Sequence, residues 1–265
     1  MTRITIGQYY PTGSPIHRID PRVKILCTFA YITALFVVTN FIGYGVAILA
    51  VAGLVRVSKV PVIMLFRGLR AVMFILIFAV VLNVFLTPGQ RVIFSAGFIN
   101  ITVEGIELAV QMALRLVLLI TGSAILTLTT SPIQLTDGIE ALLNPLKKLK
   151  VPAHDIAMMM TIALRFIPTL AEEMEKIMKA QKARGADLDT GGLIKRARSL
   201  IPILVPLFVS SFKRADELAT AMEARGYRGD INRTKMKIMK ITGSDIIAIF
   251  ITIIFVVILF FTRIY

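Results

Sequence analysis

Long apolar runs alternate with short polar links along this chain. The runs cover residues 25–39, 42–55, 71–87, 106–129 and 246–261, and most approach the ~20 residues that cross a bilayer. They predict five transmembrane helices. The second is short, and Tyr44 near one of its ends reads as an interfacial anchor. Over residues 131–242 the solid runs give way to a helical period. Ser131-Pro132 supplies an N-cap followed by proline at the first helical position, and Ile139, Leu142, Leu143, Leu146 and Leu149 recur at helical spacing to about Lys150. A second helix runs from about Ala153 to Arg184. Ile156, Met159, Ala163, Ile167, Leu170, Met174 and Ile177 stripe one face, and Glu172/Lys176 and Glu175/Lys179 form i,i+4 pairs on another. Residues 187–192 read as a turn. A third helix then carries Ile194, Ala197, Ile201, Leu204 and Phe208 and continues through Leu218 and Met222 to about Arg225, with Pro202 and Pro206 expected to kink it.

Composition and charge place these elements. Of 265 residues, 56% are hydrophobic and 17% charged, too apolar for an ordinary soluble domain. Arg3, Arg18, Arg22 and Lys24 precede the first span, and Arg56, Lys59, Arg67 and Arg70 separate the second from the third. The link between spans one and two has no Lys or Arg, and that between three and four has only Arg91. By the positive-inside rule the N-terminus is cytoplasmic and the C-terminus lies outside. The 131–242 block holds nearly two thirds of the basic residues and is cytoplasmic by the same rule. A membrane hairpin built from residues 156–170 and 200–212 would put Lys176, Lys179, Lys182, Arg184, Lys195, Arg196 and Arg198 on the wrong side. The expected fold is all-α: a polytopic protein of the cell (inner) membrane with about five transmembrane helices and three long amphipathic cytoplasmic helices. It divides into residues 1–130, with the N-terminal segment and spans one to four, 131–242, and a last span in 243–265. Before Lys24 the chain is polar and contains Pro11, Pro15 and Pro21, unlike a cleaved signal peptide, so the first apolar run stays as a span.

The net charge of +14 sits in a few segments of a mostly apolar chain. It therefore points to a membrane surface or an acidic protein rather than to nucleic acid. Cys27, the single cysteine, lies in an apolar run and reads as packing. No glycine-rich loop ends in Gly-Lys-Ser/Thr, and His17 and His154 are far apart with no metal-ligand spacing. The residues thus offer no catalytic machinery, cofactor site or metal site, and His17 beside Asp20 reads as a loop contact. A rival reading is an autonomous secondary transporter. That class needs acidic residues within spans, yet Glu104, Glu107 and Asp245 fall at span ends. Arg115, inside the fourth span, costs roughly 2.5 to 3.5 kcal/mol on insertion scales and so must face protein or water. It is expected to tie spans together, with a part in substrate passage as the alternative. Met158, Met159, Met160, Met174 and Met178 mark the second long helix either as a core filler or as a face that repacks against several partners.

The sharpest motif is a repeat: Ala183-Arg184-Gly185 ends the second long helix and Ala224-Arg225-Gly226 ends the third. Glycine suits the left-handed position closing a helix, and arginine beside it gains from the helix dipole, so one copy alone reads as an ordinary C-cap. Two copies on two long amphipathic rods present a pair of arginines to a partner with two similar acidic or polar grooves, such as a homologous pair of subunits. With the opening segment Ser14-Pro15-Ile16-His17-Arg18-Ile19-Asp20-Pro21-Arg22-Val23-Lys24 and five spans around them, these motifs resemble the transmembrane T component of energy-coupling factor transporters. The likeness covers essentially the whole chain. It implies two ABC-type ATPases as partners and a separate integral membrane subunit that binds a vitamin or metal ion. It also implies that residues 131–242 form a coupling domain whose Ala-Arg-Gly motifs dock into the ATPases, with Arg184 and Arg225 as the main coupling residues and Gly185 and Gly226 shaping the tips.

Overall fold

The computed structural model describes residues 9–96, 99–145, 152–186, 192, 194, 198–229 and 241–264. Helices dominate: α1 (Pro15–Arg18), α2 (Pro21–Val37), α3 (Phe41–Ser58), α4 (Val62–Leu86), α5 (Val103–Thr129), α6 (Pro132–Leu143), α7 (Ala153–Ala183), α8 (Ile201–Ala224) and α9 (Gly243–Ile264). Between α4 and α5 an antiparallel hairpin pairs β1 (Val92–Ala96) with β2 (Ile99–Thr102). The hairpin lies in what the apolar pattern treats only as a link; its alternation is too brief to register against the flanking spans. Among the described residues α3, α4, α5 and α9 are long and apolar enough to cross a membrane. The protein is a multi-pass, all-α membrane protein. The expected first span is α2, whose 17 residues reach only ~25 Å at 1.5 Å per residue, short of the ~30 Å hydrocarbon core. The amphipathic α7 and α8 do not qualify as spans, because charged residues such as Glu172, Glu173, Lys213 and Arg214 recur along them.

The chain divides into two compact units. One comprises Gly7–Gly138 with Ile238–Tyr265, and in it α5 packs against α2, α3 and α4 while α9 packs on α2 and α3. Its core gathers Tyr31, Leu35, Val38, Tyr44, Ala47, Leu118 and Leu259. Gly122 lets α5 approach the Tyr31 ring, because a Cβ there would overlap it, and the Tyr31 hydroxyl donates to the Leu118 carbonyl at 2.8 Å. Tyr44 is no interfacial anchor: it is 1% exposed and its hydroxyl donates to the Val38 carbonyl at 3.4 Å. Arg115 donates to that same carbonyl through Nη2 at 2.8 Å and lies over the Phe36 ring at 6.0 Å. It therefore ties α5 to the C-terminal end of α2, where the helix dipole favours a cation. The α4 helix starts at Val62, nine residues before the apolar run, so Arg67 and Arg70 ride on its first turns rather than in a link.

A buried polar cluster closes one end of this unit. Asp245, 1% exposed, accepts the Thr242 backbone N–H at 2.6 Å and its hydroxyl at 2.8 Å, which caps α9. Its other oxygen accepts the Asp20 N–H at 2.7 Å. Asp20 in turn caps α2 by accepting the Arg22 N–H at 2.9 Å. The Lys24 ammonium is also buried and donates to the Thr129 carbonyl at 2.9 Å and the Thr130 hydroxyl at 3.3 Å, at the end of α5. The opening segment singled out in the sequence is thus stitched to three helix ends. His17 makes a loop contact, but with the Ser14 hydroxyl at 2.7 Å and the Tyr10 carbonyl at 2.9 Å rather than with Asp20.

Ser131 caps α6 through a capping box: its Oγ accepts the Gln134 N–H at 3.3 Å, and Gln134 Oε1 accepts the Ser131 N–H at 3.2 Å. Residues 146–151, where this helix was expected to end, lie outside the described residues, as do most of the expected 187–192 turn and Ala197.

Candidate functional site

The second unit, Ile139–Lys237, is built on α7 and α8. Much of the expected apolar stripes stays exposed, Ile167 and Met174 on α7 and Ile201, Leu204 and Phe208 on α8 among them, while Ala157 and Ile203 are buried; polar residues fix the register of the pair. Gln181 Nε2 donates to the Pro202 carbonyl at 3.3 Å. Farther along, Glu173 accepts the Ser210 hydroxyl and pairs with Arg214 at 3.0 Å. At the other end the Tyr227 hydroxyl reaches Met158 Sδ at 3.1 Å. Position falls on α7 as it rises on α8, so the two helices run antiparallel. Pro202 sits in the first turn of α8, where a proline is tolerated, rather than at a kink; Pro206 lies inside α8 and Pro168 inside α7.

Both repeats end their helices in the same way. Ala183 and Ala224 are the last helical residues and Arg184 and Arg225 the C-caps. Gly185 and Gly226 follow with φ of +85° and +71°. The Gly185 N–H bonds the Lys182 carbonyl at 3.0 Å and the Ala186 N–H the Gln181 carbonyl at 3.0 Å. In the other copy the Gly226 N–H bonds the Glu223 carbonyl at 2.9 Å and the Tyr227 N–H the Met222 carbonyl at 3.0 Å. These are two Schellman motifs. A Cβ on either glycine would meet nothing within 4 Å, so only the left-handed backbone demands glycine there.

The cap accounts for the glycines and leaves the arginines without a structural task. Arg184 and Arg225 are exposed, and neither guanidinium makes an ion pair among the described residues. Because α7 and α8 are antiparallel, the two tips stand at opposite ends of the pair. Gln181, three residues before Arg184, meets the start of α8, while Tyr227, two after Arg225, meets Met158 near the start of α7. At ~1.5 Å per residue the tips are roughly 40 Å apart along α7. The methionines of α7 are not core fillers throughout: Met159 is 59% exposed, and Met160 and Met174 are also exposed. Glu175 and Lys179 form the expected i,i+4 pair at 2.7 Å. His154 pairs with Glu140 at 3.1 Å.

Sequence reasoning missed the Glu173–Ser210–Arg214 contact, since residues 37 positions apart carry no local signal of pairing. The Ser210 hydrogen bond, aided by the Arg214 charge, holds the Glu173 carboxyl below the ordinary glutamate range. Its native pKa lies below the unfolded ~4.3, so the stabilisation it gives is complete above that value and fades as pH falls through the native pKa. Spin labels on exposed sites of α7 and α8 in the intact protein should show one narrow distance distribution at neutral pH. That distribution should broaden below about pH 4, and Glu173→Gln should broaden it at all pH values.

A family model described as "CbiQ: Cobalt transport protein" matches residues 12–238. The "Energy-coupling factor transporter transmembrane protein EcfT" of Ruminiclostridium cellulolyticum is 54% identical over 95% of this chain and 94% of its own length. The proteins of the same name from Clostridium kluyveri and Bacillus subtilis are 53% and 46% identical, each over 99% of this chain, and over 97% and 99% of their own lengths. The chain belongs to the family of energy-coupling factor transmembrane T components. In this T component the match spans both units, so the helix ends at Arg184 and Arg225 lie within the family's shared architecture and not in an appendage.

Proposed function

We propose that this T component transmits the work of two partner ABC-type ATPases to a separate membrane subunit that binds a vitamin or metal ion. The observation that carries the proposal is the duplication of one Arg-bearing helix end at the two extremities of an antiparallel pair. Each exposed guanidinium offers a planar fork able to hold a carboxylate and neighbouring carbonyls together. In this reading Ala183-Arg184-Gly185 enters a groove of one ATPase and Ala224-Arg225-Gly226 the equivalent groove of the other. Residues 131–242 are the cytoplasmic coupling domain, between the N-terminal segment with its helices in 1–130 and the last span in 243–265, and the N-terminus faces the cytoplasm. Closure and opening of the ATPase pair with ATP binding and hydrolysis moves the two tips, and α7 and α8 shift against one another. The substrate-binding subunit topples in response and releases its cargo inside.

ATP is handled by the partners in this scheme. The exposed Met159, Met160 and Met174 supply a face that repacks against substrate-binding subunits of one kind or several. Reconstitution in liposomes tests the whole. Uptake should require the T component, both ATPases, a substrate-binding subunit and ATP. Uptake by the chain alone, driven by an ion gradient, would establish the rival secondary transporter and end this proposal.

A further inference from the structure

A cleft opens between α3 and α4. Both helices pack chiefly on α5 rather than along one another. The space between them is an open groove of about 790 Å³. Gly53 of α3 and Val62, Phe66 and Leu69 of α4 line its apolar walls, and Arg56 and Lys59 stand at its mouth. The mouth is held in place: Val60 and Leu65 are buried in a cluster with Ile125 and Leu128, and the Thr12 hydroxyl donates to the Ser58 carbonyl at 3.0 Å.

The charge at this mouth is uncompensated. No acidic residue occurs between Asp20 and Glu104. Arg56, Lys59, Arg67 and Arg70 are all exposed, and none forms an ion pair among the described residues. Lys59 is also the one non-glycine residue with positive φ among the described residues, at 54°. Glycine or asparagine is usual at such a helix end, so an ammonium is kept there against backbone strain. The first turn of α4 adds the partial positive charge of a helix N-terminus beside it.

We propose that this cleft binds an anionic phospholipid, with the phosphate held between Arg56 and Lys59 and one acyl chain laid along the α4 wall. The walls belong to two helices with the length and composition of membrane spans, so the cleft opens to hydrocarbon while its mouth is cationic. A ligand that satisfies both ends is an amphiphile with a negative head. A soluble phosphate would leave the walls bare, and an apolar partner helix would leave the two cations unmet.

Native mass spectrometry of the intact protein, exchanged into lipid nanodiscs or mild detergent with phosphatidylglycerol or phosphatidylcholine, reads the bound lipid. The protein should retain phosphatidylglycerol preferentially. Each surface cation contributes about fivefold to anionic-lipid affinity, so the R56Q/K59Q variant should lose roughly thirtyfold. Gly53→Leu, which fills the cleft and changes no charge, should reduce retention as well; a Cβ at Gly53 meets nothing within 4 Å, so the fold accepts it. The R67Q/R70Q variant, altered outside the cleft lining, should retain lipid like the parent. Undiminished retention by R56Q/K59Q would overturn the site. An equal loss in R67Q/R70Q would do the same by showing diffuse attraction, and so would binding of glycerol phosphate as tight as that of the lipid. A photoreactive residue in place of Leu69 that captures a partner polypeptide in the assembled complex, and no lipid, would give the cleft to protein instead.

Discussion

Under the proposed coupling role, alanine at both Arg184 and Arg225 is expected to weaken ATPase docking by about 2 to 5 kcal/mol, roughly thirtyfold or more in Kd, because each truncation would strand a buried acceptor on the partner. The helix ends themselves should survive the double substitution. Their closing hydrogen bonds run through backbone N–H groups of Gly185, Ala186, Gly226 and Tyr227, and alanine leaves these intact, so circular dichroism of the variant should match the parent. Single substitutions should cost less than the double one, since the remaining tip would still tether the proposed ATPase pair. Lysine at either position restores charge without the fork and should rescue only part of the loss. Pull-down of the ATPases and ATP-driven uptake are the measurements. A double alanine variant that keeps both would remove the coupling role from these residues.

The second large effect is expected at Asp245. Its carboxylate, 1% exposed, serves the starts of α2 and α9 at once through the Asp20 and Thr242 N–H groups, with the buried Lys24 charge nearby. Asp245→Ala leaves the buried Asp20 N–H and both Thr242 donors without their acceptor and removes one of the two carboxylates near Lys24, a change of about 3 to 5 kcal/mol. For a chain of this size the melting temperature in detergent should fall by on the order of 10 °C. Asp245→Asn keeps an acceptor and the shape, and should lose less. Equal melting of the alanine variant and the parent would show that the cluster is not a structural clasp.

Much of this molecule is written in local patterns. The hydrophobic runs reveal α3, α4, α5 and α9 because a span must be apolar over its whole length. The start of α6 follows from Ser131 and Pro132, whose chemistry acts within four residues. The two helix ends are legible for the same reason, since a left-handed closing position selects glycine by itself. Long-range choices are not. Nothing near Tyr44 announces that its hydroxyl turns inward to the Val38 carbonyl, and a tyrosine at a span end suits an interface equally well. Asp245 reads as a span-end acid, and its link to Asp20 joins residues 225 positions apart. The register of α7 against α8 also depends on Glu173 meeting Ser210 and Arg214. The stripes alone fix neither the direction nor the offset of the pair.

That register has a geometric consequence. Two rods laid head to tail, each finished by the same cap, are related by an approximate dyad crossing the pair near its middle, although they come from one polypeptide and differ in sequence. A dyad in one body is the natural counterpart of a dyad in another: a partner made of two like subunits can present the same socket twice, and each socket meets the same kind of plug in the same sense. A parallel pair would have set both arginine-bearing ends on one side, with no such dyad between them.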